Sequence, residues 1–243
     1  MKRIRLSPLI FRRIHKWVGL ILGLQFILWA LSGSMMALLN ADAVGGHDGP
    51  AMHVMPVSTD GLIDLATMLA GRPVSGLVLR DLAGRPVYEV SDGTGTRLLD
   101  ATTGRRVSVD RQLASDVAAH GILKQVKGVS FLAKPNLEAR DHPGAMWRVD
   151  FLDPENTSAY ISATTGRLLV TRGDTWRTWD FFWMLHNMDY VNRSSFNHPL
   201  IIFVAFCVLW LSGTGFYLLF KSFRKTDFRW LTPRPKSRVE GAA

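Results

Sequence analysis

Two long apolar runs frame this chain of 243 residues. The first covers residues 17–39 and is interrupted only by Gln25 and small residues, and the second covers residues 199–220. At about 1.5 Å of helical rise per residue, either run is long enough to cross a hydrocarbon layer of about 30 Å. The pattern therefore predicts two transmembrane helices, over residues 17–40 and 198–220.

A cleaved signal peptide is the alternative interpretation of the first run. Basic residues precede the run, and Ala41, Asp42 and Ala43 form an A-x-A cleavage pattern after it. The run is too long for a typical signal core, and Trp17 and Trp29 suit an anchored helix better. We therefore favour an uncleaved first helix.

The segment between the runs contains a weak internal repeat. Each copy has a helical pattern and three strand candidates, and closes on Ala-Thr-Thr-Gly-Arg after Asp100 or Ser162. A polar turn with glycine in its last position is ordinary hairpin chemistry. Two coincidental turns are the alternative, but the matching order of elements favours a duplication. The predicted helices cover residues 60–70 and 111–121, and the predicted strands cover residues 76–80, 86–90, 96–100, 126–132, 145–152 and 157–162.

The elements together predict an α+β membrane protein. Two transmembrane helices flank a tandem helix-plus-antiparallel-sheet domain, and an interfacial aromatic helix precedes the second span. The predicted segments are a basic N-terminus (1–16), the first span (17–40), a linker (41–56), two repeats (57–110 and 111–173), the aromatic helix (174–192), the second span (198–220) and a basic tail (221–243).

The formal net charge of +9 is concentrated at the two ends. Residues 1–16 contain six Lys or Arg and no acid, and residues 221–243 contain seven Lys or Arg against two acids. Because these basic segments flank apolar runs, they indicate a lipid bilayer as the partner and not a nucleic acid. The positive-inside rule predicts cytoplasmic ends and a central domain on the outer side of the membrane. In a Gram-negative cell, these expectations correspond to the bacterial inner membrane with the central domain in the periplasm.

Three histidines lie at the predicted membrane boundaries: His15, His186 and His198. A polar ring beside hydrocarbon needs a partner. Gly19 and Gly23 follow His15 at i+4 and i+8, which forms either a face for a flat ligand or a helix-packing motif.

His186 belongs to an aromatic stripe with a spacing of three or four residues. The stripe predicts one helical face, and a membrane-interface belt explains its aromatic members better than its histidine. His198 precedes Pro199, so a helix cap is the simple interpretation of that residue. The stripe consists of Trp176, Trp179, Trp183, His186 and Tyr190.

The helix-plus-sheet unit that closes on a D-x-x-T-G turn resembles the PepSY domain. The flanking helices resemble the PepSY-associated transmembrane helix family, and the resemblance spans almost the whole chain. The matching positions are Arg13, His15, Trp17, Gly19, Gly23, Ser32 and Gly33 in the first helix, and Leu185, His186, Tyr190, Phe196, His198, Ser212 and Gly213 around the second.

This resemblance implies a small two-span PepSY-domain protein of the inner membrane, similar to haem-containing ferric or siderophore reductases. Larger members have four or more membrane helices, whereas this chain has two spans and fewer histidines. The resemblance implies a haem b whose iron is bound by histidines drawn from His15, His186 and His198. Electrons would pass to ferric iron or a ferric siderophore in iron acquisition. The alternative is a non-enzymatic PepSY-domain membrane protein that binds a peptide, a protease or an envelope partner.

The histidine positions restrict which pairs can bind one iron. His15 and His198 lie at opposite ends of about 30 Å of hydrocarbon, so one chain cannot bring them to a single haem. His186 and His198 can face one another if the chain turns over residues 191–197, which do not read as helix. Because two spans are too few to enclose a haem, we also expect a homodimer that supplies four helices.

Other candidate chemistry is sparse. The chain has no Walker loop, G-x-G-x-x-G after a strand, H-E-x-x-H or C-x-x-C motif, and so no recognisable site for NAD or flavin. A quinol or a redox protein is therefore the expected electron donor. The linker contains methionine thioethers and histidine imidazoles, which are ligands that suit copper, although chance composition is the simpler explanation. Those linker residues are His47, Met52, His53 and Met55.

Overall fold

The computed structural model describes residues 8–46 and 56–222. The linker candidates His47, Met52, His53 and Met55 lie outside the described residues, as do residues 1–7 of the basic N-terminus and residues 223–243 of the basic tail. The chain divides into two compact units, which we describe separately. One contains the chain up to Ala30 together with the chain from Phe196 onward, and the other is Leu31–Ser195.

Two long helices correspond to the two apolar runs. Helix α1 is Pro8–Leu38, and helix α6 is Pro199–Ser222. Helix α1 begins nine residues before the predicted start of the first span, because residues 8–16 of the basic segment are helical as well. Helix α6 begins with a proline, whose fixed φ and missing N–H suit a first helical position.

Both long helices expose apolar side chains over most of their surface. The candidate spans are Arg12–Leu38 and Pro199–Ser222, and only 11% and 6% of their most apolar windows are buried. Ile21 and Phe206 are each 68% exposed. A core helix of a soluble protein would bury such residues, so lipid is the environment that these surfaces match.

The central unit contains two four-stranded antiparallel sheets, ordered β1-β2-β3-β4 and β5-β6-β7-β8. The strands are β1 Gly76–Leu82, β2 Arg85–Asp92, β3 Gly95–Asp100, β4 Arg106–Val107, β5 Val126–Leu132, β6 Met146–Phe151, β7 Ser158–Ser162 and β8 Leu168–Arg172. The helices are α2 Ala41–Gly45, α3 Leu65–Leu69, α4 Arg111–Ile122 and α5 Asp174–Asn187, with a 3-10 turn at Leu137–Ala139.

The two repeated turns have the same backbone pattern. In the first, the Asp100 carboxylate accepts the backbone N–H groups of Thr102 and Thr103 at 3.0 and 2.8 Å. In the second, the Ser162 hydroxyl accepts those of Thr164 and Thr165 at 3.3 and 3.1 Å. Both turns end on a glycine with positive φ: 70° at Gly104 and 65° at Gly166. The structural match agrees with the duplication that the sequence predicts.

The two repeats pack against each other around one core. Buried residues of both sheets and of helix α4 form this core. The Trp147 indole N–H of the second repeat donates to the Val109 carbonyl oxygen at 2.9 Å. A Cβ on Gly166 would lie 2.9 Å from Leu82 of the first repeat. The first repeat has only the five-residue helix α3 where residues 60–70 were predicted helical, so that prediction was too long.

Candidate functional site

His15 lies on helix α1 and contacts helix α6. Its Nδ1 lies 2.8 Å from the Thr214 hydroxyl oxygen, and its ring centroid lies 6.4 Å from that of Trp210. A Cβ on Gly215 would lie 3.6 Å from His15 Cε1, an ordinary van der Waals distance, so the imidazole packs beside this position of α6. Nε2 makes no hydrogen bond within the described part of the chain. The imidazole is therefore held by one nitrogen and keeps the other available.

The two glycines that follow His15 on the predicted helix face, Gly19 and Gly23, have different surroundings. A Cβ on Gly19 would meet Leu211 at 3.7 Å, which places Gly19 in the packing of α1 against α6. A Cβ on Gly23 would meet no heavy atom within 4 Å. Gly19 thus fits the helix-packing interpretation, whereas the space beside Gly23 is open.

His186 lies in the last turn of helix α5 and contacts the C-terminal part of helix α1. Its Nδ1 is 3.2 Å from the hydroxyl of Ser32, which is only 1% exposed. A Cβ on Gly33 would lie 3.2 Å from Cε1 of the same ring. In the sequence, Ser32 and Gly33 stand out only as positions of resemblance, and their contact with His186 was not predicted. No local pattern links residues 154 positions apart, so only the tertiary structure reveals it.

Helix α5 ends directly after His186. Met188 adopts a left-handed conformation with φ of 56°, so the predicted aromatic helix over residues 174–192 stops at Asn187. Tyr190 consequently lies outside the helix, and the five-residue stripe loses its last member. The remaining aromatic residues include a stacked pair, Trp179 and Trp183, with ring centroids 4.9 Å apart.

The turn after α5 is organised by the buried carboxylate of Asp189. Backbone N–H groups of Asn192 and Ser194 donate to its two oxygens, each at 3.0 Å. Burial alone would raise the pKa of Asp189, but the backbone hydrogen bonds outweigh it and lower the pKa to about 2. The expected non-helical turn between α5 and α6 is therefore present and internally bonded.

A second buried carboxylate, Asp180, ties this turn to the domain. It is 2% exposed and pairs with Arg140 and Arg193, each at 2.8 Å. Trp176, one helical turn earlier, is 5% exposed and has the Arg172 guanidinium 4.2 Å from its ring centroid. Cations and a carboxylate thus surround the first turns of α5, and Trp176 is a packing residue of the central unit.

His198 caps helix α6. Its carbonyl oxygen accepts the Ile202 N–H at 3.3 Å, directly before Pro199 at the first helical position. Since His198 and His186 belong to different units, their pairing stays a prediction. The remaining described histidines, His120 and His142, lie in the central domain, with His120 exposed on α4.

No group of three or more His, Cys, Asp or Glu in the described ranges 8–46 and 56–222 could hold a bare metal ion. The candidate site therefore consists of separate imidazoles. His15 and His186 are each hydrogen-bonded through Nδ1 to a hydroxyl group on another helix.

Two bilayer-spanning helices separated by a tandem helix-plus-sheet domain define a two-span α+β membrane protein. The chain belongs to the family described as the PepSY-associated TM region, whose model matches residues 12–240. Among curated proteins and among solved structures, the chain has no match.

Proposed function

We propose that this protein is an inner-membrane haem b protein that moves electrons to the periplasmic side and reduces ferric iron or a ferric siderophore. Its electrons would come from a quinol or a redox protein, and its working form would be a homodimer with both chain ends in the cytoplasm. Membership of the family makes this a membrane protein. The electron-transfer role is supported by the imidazoles at the helix ends.

The observation that carries the proposal is the state of His15. Its Nδ1 is engaged by Thr214, while Nε2 makes no hydrogen bond in the part of the chain that the structure describes. An imidazole held through one nitrogen is the usual form of a metal-binding histidine. A haem would bring its own iron, so histidine nitrogens such as His15 Nε2 would be enough to hold it. The residues present therefore fit a haem.

The roles of the chain's own residues follow from their contacts. His15 and His186 would supply imidazole nitrogen, and His198 is the remaining candidate. Gly33 leaves room for the His186 ring, and Gly215 lies beside the His15 ring. A bound haem b supplies a one-electron carrier that alternates between ferric and ferrous iron. The apolar side chains of α1 and α6 would exclude water from the membrane part of such a site.

A homodimer would supply the additional spanning helices that one chain lacks. Each chain supplies two spanning helices with broad exposed apolar faces. A symmetric pair supplies four helices, which is enough to surround a flat cofactor. The partner chain would also supply a second set of the three histidines.

Alanine substitution of each histidine tests the proposal. We expect His15→Ala, His186→Ala or His198→Ala to lower the haem content of the purified protein, while His120→Ala, in the exposed position on α4, leaves it unchanged. Haem content per chain is measured by the pyridine haemochrome assay. Equal haem content in all four variants would contradict the proposal.

A second candidate function is peptide or protein binding by the central domain. Strand β1 is an edge of its sheet and pairs on one side only, with β2, within the described residues. Its free edge offers backbone groups for strand addition. This function predicts a protein without haem and a partner recovered by cross-linking through residues 76–82.

A further inference from the structure

We infer that Thr214 is a positioning residue that fixes His15 in the tautomer able to bind a metal. The inference rests on the proposed haem function and goes beyond it by assigning a role to a residue outside the candidate ligand set. It is carried by the hydrogen-bond geometry around one hydroxyl group.

The Thr214 hydroxyl oxygen has three polar neighbours. It lies 2.9 Å from the Trp210 carbonyl oxygen, 3.0 Å from the Leu211 carbonyl oxygen and 2.8 Å from His15 Nδ1. A threonine hydroxyl has one proton to donate, and carbonyl oxygens can only accept. Threonine in a helix commonly donates to the carbonyl three or four residues earlier.

The proton count then decides the direction of the bond to His15. Because the Thr214 proton is directed to the backbone carbonyls of its own helix, the hydroxyl oxygen is left to accept. His15 Nδ1 must therefore carry the proton and donate it. In a neutral imidazole, a protonated Nδ1 leaves Nε2 with a free lone pair.

This arrangement has two consequences for a metal bound at Nε2. The hydrogen bond at Nδ1 restrains the orientation of the ring, which lies beside Trp210 and Gly215. The hydrogen bond also raises the basicity of the ligating nitrogen. Losing such a partner typically lowers metal affinity about 10- to 100-fold.

The matched variants are Thr214→Val, Thr214→Ser and Ser212→Val. Valine keeps the shape of threonine but removes the hydroxyl, and serine keeps the hydroxyl. Ser212 lies two residues earlier on α6 and is exposed, so its valine variant controls for a general effect on the helix. The full-length protein in detergent is titrated with haem, and the midpoint potential and the electron paramagnetic resonance spectrum of each variant are recorded.

The inference predicts weaker haem binding by about 10- to 100-fold in Thr214→Val, a more positive midpoint potential and a changed spectrum. Thr214→Ser and Ser212→Val should match the wild type. Wild-type affinity, potential and spectrum in Thr214→Val would overturn the inference. An intact spectrum in His15→Ala would overturn it too.

Two further outcomes are interpretable. If Thr214→Val does not accumulate in membranes, Thr214→Ala and Thr214→Ser are compared, and equal potentials in that pair overturn the inference. A wild-type protein that binds no haem would instead overturn the proposed function. Haem-bound wild type with an unaffected Thr214→Val overturns the role of Thr214 alone.

Discussion

Ser32 Oγ on helix α1 and His186 Nδ1 on helix α5 lie 3.2 Å apart, although 154 residues separate them in the sequence. His15 and Thr214 form a similar hydroxyl–imidazole pair at 2.8 Å. His15 and His186 are therefore each oriented through Nδ1 by a hydroxyl group on a different helix.

The contact of His186 with Gly33 gives the first prediction. Alanine at Gly33 would place Cβ 3.2 Å from the His186 ring, whereas alanine at Gly23 meets nothing within 4 Å. We expect Gly33→Ala to displace the imidazole from Ser32 and to lower haem content, while Gly23→Ala binds haem as the wild type does. The absorbance spectra of the two purified variants check this. Identical spectra would show that the packing of His186 on Gly33 is not needed.

The second prediction concerns the buried carboxylate of Asp180. Removing it leaves the cations Arg140 and Arg193 facing a neutral group in a buried site. We expect Asp180→Ala to destabilise the central domain by about 3–5 kcal/mol. Asp116→Ala, on the exposed side of α4, should change stability by less than about 0.5 kcal/mol. Thermal unfolding in detergent distinguishes the two, and equal midpoints would contradict the assigned role of Asp180.

The third prediction follows from the lowered pKa of Asp189. The folded-state pKa is about 2, and the ordinary value is 3.8. The unfolded state binds the proton more readily, so the ionised carboxylate stabilises the fold above about pH 4, and this contribution is lost as the pH falls through about 2. The difference in unfolding midpoint between wild type and Asp189→Asn should be constant from pH 7 to pH 4 and shrink below that. A difference independent of pH down to 2 would contradict it.

The fourth prediction tests the packing of the two repeats. Gly166 and Gly84 both have positive φ, of 65° and 82°, but only a Cβ on Gly166 would collide with a neighbour, Leu82 at 2.9 Å. Alanine costs about 1 kcal/mol at either position because of the backbone conformation. We expect Gly166→Ala to cost a further ~1–3 kcal/mol from overpacking. Denaturant unfolding of the two variants measures this additional loss of unfolding free energy. Equal losses in the two variants would show that the repeats accommodate the extra methyl group at this contact without cost.

Much of the fold was predictable because its signals are local. Strand β5 has the predicted bounds, and helix α4 begins at the predicted Arg111. The repeated turns carry their own hydrogen-bonding side chains, so a short motif is enough to specify them. The end of α5 was predicted too late, because aromatic periodicity continues to Tyr190 while Asp189 already draws the backbone N–H groups of the turn.

The candidate site was predicted only in part. The histidines were identifiable because a polar ring beside an apolar run is unusual. Their partners Thr214 and Ser32 were not, since hydroxyl residues are common in membrane helices and carry no positional signal of their own. The pairing of each histidine depends on helix packing, which a single sequence does not specify.

The central claim is that this protein binds haem b through histidine. The most direct measurement is the optical spectrum of the full-length protein, expressed with haem supplied, purified in detergent, and recorded oxidised and then reduced with dithionite. We predict a Soret band that shifts on reduction together with sharp α and β bands, and a loss of these features in His15→Ala or His186→Ala but not in His120→Ala. A colourless wild-type protein would contradict the claim.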